Sequence, residues 1–163
     1  MIRTITGFHP DDEGDWVAEL SCLHNQHMRH RPPFQDRSWV LEEAGRAERI
    51  GSELDCPLCE RAELPADLAV ARTAGPFDET TLPDGLRRAH KAPAGTWGLL
   101  QVSEGSLDFS LETAPPIERH LSAGDAQPIP PEIPHQVTVH GPVRFKVDFL
   151  TRPSSGAQGP AGS

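Results

Sequence analysis

Cys56-Pro-Leu-Cys59 is a C-x-x-C knuckle, a spacing that lets two thiolates reach one metal ion from a tight turn. Upstream, Cys22-Leu-His24-Asn-Gln-His27-Met-Arg-His30 offers one more thiolate and three imidazoles. Tetrahedral zinc takes four sulfur or nitrogen ligands, so three cysteines and one histidine would complete it and leave no position for water. Such a site is structural. His24 forms a compact C-x-H knuckle with Cys22 and is the first choice for the fourth ligand, with His27 the alternative and His9 and His30 behind them. Two other readings of the thiols stand beside zinc: incidental free cysteines, or a redox couple of the thioredoxin type. The redox couple expects a βαβ context and a helix after the first cysteine, which Pro57 and the surrounding loop signals do not clearly supply.

The two ligand pairs lie about thirty residues apart, and closing that loop on a metal would stabilise a segment too short to build a large core. This predicts a small α+β zinc module over residues 1–62. Residues 63–77 lose clear periodicity and read as a linker, with a short helix from Glu63 stopped at Ala74-Gly-Pro. From residue 78 to 152 the pattern is of short strands and turns. Trp97–Val102 and Ser106–Leu111 flank a predicted hairpin turn at Gly105, and a further turn falls at Gly141-Pro142. Val143, Phe145, Val147 and Phe149 alternate with Arg144, Lys146 and Asp148, a period of two that buries one face. Trp97 is expected to pack in the core or at its rim, while His120 and His140 fall at strand ends and are expected to be exposed. Residues 153–163, rich in Gly, Ser and Pro, are expected to be disordered. The fold class is mainly β, a sandwich or barrel preceded by the small module.

Composition narrows the function. A net charge of -9 disfavours non-specific attraction to nucleic acid or anionic membrane. Arg29, Arg31 and Arg37 form a local basic group, best read as a solvated loop or as partners for nearby carboxylates. No apolar stretch approaches the length of a membrane span, and the first residues lack a signal-peptide core, so a cytoplasmic protein is expected. Three cysteines, an odd number, fit that compartment better than a disulfide framework.

Two resemblances follow from particular residues. Gly7 to Phe34, with Arg37-Ser-Trp-Val and Asp55-Cys56-Pro-Leu-Cys59, resembles an uncharacterised bacterial family of small Cys- and His-containing domains, over roughly residues 1 to 62. Gly124, Pro130 and His135 fall on the second cupin motif, in which a turn between strands points a histidine into the barrel mouth; Glu132 stands in place of the motif's glycine and Val139 in place of its asparagine. Of the first motif only His90 and the closing Gly105 have counterparts. Leu82 to Phe109 and Ile129 to Phe149 together resemble the YeaR/TehB-like cupins, named for tellurite resistance. That resemblance implies a cupin double-stranded β-helix, a jelly-roll barrel, with His90 and His135 as ligands of a second divalent metal and Glu132 as a helper. Equally, the two histidines could simply pack or hydrogen-bond at the mouth.

Three functions are therefore in play. The preferred one is a metal-binding protein with a structural zinc module and a barrel for a small ligand or oxyanion, in a stress response of the tellurite type. The alternative is a metal-dependent cupin enzyme, a small oxygenase or isomerase, using His90 and His135. A nucleic-acid-binding finger is disfavoured by the acidic charge and the lack of a basic recognition helix. A homodimer through an edge strand is a further expectation.

Overall fold

The computed structural model describes residues 1–154; the C-terminal stretch expected to be disordered lies almost wholly outside them. The N-terminal part is a four-stranded antiparallel sheet in the order β3-β2-β1-β4, with β1 (Ile2–Pro10), β2 (Trp16–Leu20), β3 (Asn25–His27) and β4 (Glu53–Asp55). Asp11 makes the β1–β2 turn: its carboxylate accepts the backbone N–H groups of Glu13 and Asp15, each at 2.9 Å. A 3-10 turn (Ser38–Leu41) and helix α1 (Glu43–Arg49) fill the long β3–β4 connection, and the single-turn helix α2 (Pro57–Glu60) follows β4. The alternation in β1 turns Arg3 and Ile5 inward and Ile2 and Thr4 outward.

The C-terminal part is a curled antiparallel sheet built around one long strand, β6 (Trp97–Leu111). Its first half lies between β10 (Val143–Thr151) and β8 (Ala126–Ile129); its second half lies between β7 (Ile117–Ser122) and β9 (His135–Thr138). β5 (Ala69–Asp78) completes the first layer as an edge strand on β10. Leu100, Val102, Phe145 and Val147 from one layer meet Leu107, Phe109, Leu111 and Val137 from the other in one core.

Several sequence expectations are corrected here. Gly105 does not close a hairpin: β6 continues through it without reversing, and the two halves pair with different strands. Gly105 adopts φ +71°, and the β10–β6 register shifts two residues before it, at Ser103, so this stretch is the bend that carries one strand from layer to layer. Residues 63–77 are no plain linker, because Ala69–Asp78 form β5 and no helix starts at Glu63. Long-range pairing with β10 overrides the weak local signal there. Gly141-Pro142 does connect β9 to β10, but these strands flank opposite halves of β6. The alternation of β10 also breaks after Val147: Asp148 and Leu150 are both buried. Asp148 accepts hydrogen bonds from Thr73 Oγ1 and Gln101 Nε2, at 2.6 and 3.0 Å. Leu150 faces the other way, into a second core shared with the N-terminal part.

That second core joins the two parts. Ile5, Ala18, Leu20, Met28, Val40 and the three cysteines pack with Trp97 and Leu150. Trp97 is fully buried, and its Nε1–H donates to the carbonyl of Cys22 at 2.7 Å. Expected as a packing residue, it packs across the junction.

Candidate metal centre and pocket

Cys22 and His24 sit on the tight connection between β2 and β3. Leu20 N–H donates to His24 O, Leu23 N–H donates to Leu20 O, and Leu23 adopts φ +70° to close the loop. Cys56 caps α2, Pro57 occupies its first position, and Cys59 N–H donates back to Cys56 O. One turn of helix thus follows Cys56, against the sequence expectation, though not within a βαβ unit. The two knuckles meet at a point. The Nδ1 of His24 lies 3.5, 3.4 and 3.6 Å from the sulfurs of Cys22, Cys56 and Cys59, and Cys22 Sγ lies 3.9 Å from Cys56 Sγ.

All four donor atoms fall within 4.8 Å of one another and all four residues are buried, an arrangement able to hold a metal ion. The opposite edge of the imidazole is fixed: Nε2–H donates to Glu63 O at 2.9 Å, which leaves Nδ1 bare toward the sulfurs. The thiols ionise unequally. The hydrogen bond with Cys59 draws the Cys22 thiol down to about 4, while that same bond and burial push Cys59 up; burial pushes Cys56 up. The other histidines of the segment lie elsewhere: His27 on Asp11 at 3.1 Å, His9 on Glu19 at 2.7 Å, and His30 accepting the Arg37 N–H at 2.9 Å. Arg29 and Arg31 both pair with Asp15.

In the curled sheet, His90 and His135 exchange both backbone hydrogen bonds and set their rings edge to face, with centroids 5.6 Å apart. His135 Nδ1–H donates to Ile133 O at 3.1 Å, and burial holds the imidazole below its usual range, so it is neutral with Nε2 free to accept. Glu132 is exposed and does not join them. Among the described residues, the Cys/His cluster is the only group of three or more His, Cys, Asp or Glu converging closely enough to hold an ion. The cavity at His135 offers about 20 Å³, space for a water at most. It adjoins a groove of about 250 Å³ lined by Phe77, Leu86, His90 and Phe149, with Arg72 stacked on the Phe149 ring at 4.2 Å.

Two features escaped the sequence reading. Asp108 receives His120 on one oxygen and His140 on the other, both at 2.7 Å, and these hydrogen bonds hold its carboxyl below the usual range. Both histidines are exposed, as expected, although His120 lies inside β7 and not at a strand end. The second feature is Arg3, a charged residue in phase with Ile5 on β1; that inward phase was the available signal.

Fold and site together describe a Cys/His module, able to bind metal, that shares a core with a curled antiparallel β domain. Residues 6–63 match the profile of a family of proteins of unknown function (DUF3565), and residues 72–147 match the TehB-like domain. The solved structure of an Escherichia coli (strain K12) protein is 22% identical, with 56% of this chain and 97% of that one covered and a TM-score of 0.51. TehB from Haemophilus influenzae is 21% identical, with 53% of this chain and 32% of that one covered and a TM-score of 0.49. The chain thus spans about a third of the length of that TehB. None of the curated proteins matches the chain. No helix among the described residues is long and apolar enough to cross a membrane.

Proposed function

We propose that this is a metal-binding protein whose Cys22, His24, Cys56 and Cys59 hold one structural zinc, and whose TehB-like part is a cupin-like barrel for a small ligand. The observation that carries the reading is the spacing of the four donors. Zn–S bonds of about 2.3 Å and a Zn–N bond of about 2.05 Å at tetrahedral angles place S···S near 3.8 Å and S···N near 3.6 Å. The cluster has 3.9 Å for Cys22–Cys56 and 3.4–3.6 Å for the three S···N separations. A closed four-ligand set leaves no position for substrate, so the metal's role is to fasten the β2–β3 knuckle to the β4–α2 knuckle.

The groove beside His90 is the ligand site in this reading. Its apolar walls, with Arg72 and His90 at the rim, suit a small molecule with an apolar body and an anionic group, and oxyanion stress of the tellurite type is the setting the TehB likeness suggests. β5, an edge strand exposed along most of its length, is the surface through which a homodimer would form. The alternative, a cupin enzyme with a second divalent metal on His90, His135 and Glu132, is favoured by the paired imidazoles at the pocket and weakened by the outward Glu132.

Elemental analysis of the purified protein tests these readings, with His24→Ala, His27→Ala, Cys56→Ser and His135→Ala variants alongside. One zinc per chain, lost in Cys56→Ser and His24→Ala but kept in His27→Ala and His135→Ala, is expected. A wild type without metal under reducing conditions overturns the zinc site, and a second metal lost only in His135→Ala moves the assignment to cupin chemistry.

A further inference from the structure

Asp108 is one carboxylate shared by two imidazoles. His120 Nδ1–H donates to its Oδ1 and His140 Nε2–H to its Oδ2, both at 2.7 Å. The strand register brings them together: on β6, Asp108 stands opposite His120 of β7 and opposite Thr138 of β9, and His140 follows Thr138 by two residues. The neighbouring positions Leu107, Phe109, Leu121 and Val137 fill the core, so Asp108, His120 and Thr138 share the solvent face. There they line a groove of about 440 Å³ together with His140, Glu118 and Arg119. Among the described residues neither imidazole has a second hydrogen-bond partner.

Two imidazole nitrogens and a carboxylate are a donor set for a divalent transition ion such as Zn, Ni or Co. Ligand atoms at right angles on an ion, with bonds of about 2.0–2.1 Å, lie about 2.9 Å apart, and each N···O separation of 2.7 Å is already close to that spacing. The rings are turned to opposite oxygens, and as they stand the three donors do not meet at a point. His120, His140 and Asp108 are 62%, 66% and 47% exposed, so the rings can close on one ion without moving the core beneath. Closure also changes the tautomers: a nitrogen that now donates to Asp108 must be bare to bind the ion, and its proton moves to the opposite ring nitrogen. With neutral imidazoles the groove sets Asp108 and Glu118 against Arg119, a net charge of -1 that favours a cation.

We propose that Asp108, His120 and His140 form a divalent transition-metal site on the outer face of the curled sheet, sharing no residue with the Cys/His cluster. Three protein ligands leave coordination positions open to water or to a small ligand in the groove. The assignment stands on β6, β7 and the β9–β10 turn alone, and does not rest on the zinc reading or on the ligand groove beside His90.

The test titrates cobalt(II) into the full chain under reducing conditions. The wild type is expected to take up one saturable ion per chain without sulfur-to-cobalt charge transfer, whatever the cysteines bind besides. His120→Gln, His140→Gln and Asp108→Asn should each weaken that ion's binding by at least about tenfold, since losing a ligand should cost no less than losing an outer-shell partner. His9→Gln, which lies on Glu19 outside the groove, should leave it unchanged. In ¹H–¹⁵N spectra of the wild type with zinc, the ring proton of His120 should move from Nδ1 to Nε2 and that of His140 from Nε2 to Nδ1. No saturable ion free of thiolate charge transfer, or an unchanged affinity in any one of the three groove variants, overturns the site. Should a variant fail to fold, the wild-type spectra decide: ring protons that stay on His120 Nδ1 and His140 Nε2 with zinc present overturn it.

Discussion

In the proposed zinc-loaded protein, removing the metal should loosen the junction between the two parts as well as the N-terminal module, because the cluster sits in the core they share. Its three cysteines pack with Trp97 and Leu150, which are anchored in β6 and β10. At free zinc a thousandfold above its Kd, a site that exists only in the folded state contributes about 4 kcal/mol. For a chain of this size each kcal/mol moves Tm by roughly 2–4 °C, so stripping the metal should lower Tm by about 8–16 °C. The readout is built in. The sequence has three tryptophans and no tyrosine, and Trp16, Trp39 and Trp97 all pack in or against this one core. Chelation under reducing conditions should therefore shift tryptophan emission to the red along with the fall in Tm, and added zinc should reverse both. A Tm change below about 2 °C, with elemental analysis proving the metal gone, would refute the claim that the site holds this core together.

Other outcomes follow from single residues. Trp97→Phe leaves the Cys22 carbonyl without its indole donor and opens space at a fully buried position, and should cost about 2–4 kcal/mol by denaturant unfolding. Gly105→Ala forces a Cβ into the Pro142 backbone at a positive φ, so a loss of at least about 1 kcal/mol is expected, checked by thermal melting. His135 has its folded-state pKa lowered by burial, so the unfolded chain takes up its proton first. Its contribution is neutral above the unfolded pKa of about 6.5, and stability falls as pH drops from there toward the lower folded value. His135→Gln should flatten that part of the stability–pH curve, and an unchanged slope would contradict the buried neutral ring.

The Cys/His cluster, able to hold a metal ion, was legible in the sequence because its geometry is local. Cys56 and Cys59 reach one point from a single helical turn and Cys22 and His24 from a single strand connection, so spacing alone limits each pair's geometry. Spacing favoured His24 over His27 without excluding the latter; the tertiary structure brings His24 to the cysteines because β3 pairs with β2 and carries His27 outward to Asp11. The strand alternation of β10 was legible up to Val147 and misleading beyond it. Leu150 answers to a second core contributed by Trp97 and by residues of the N-terminal part more than ninety positions away. Gly105 shows the same division. A glycine amid strand formers announces a departure from regular backbone, but whether the chain reverses or bends depends on which strands claim its two sides, and here β10 and β8 hold one half of β6 while β7 and β9 hold the other. The sequence by itself determined the two Cys/His knuckles and the β-rich second half, since each depends on neighbours within a few residues. Only the tertiary structure decided that β5 is a strand, that Trp97 and Arg3 reach across to the partner half, and that Glu132 turns away from His135, because those outcomes are set by which distant surfaces share a core.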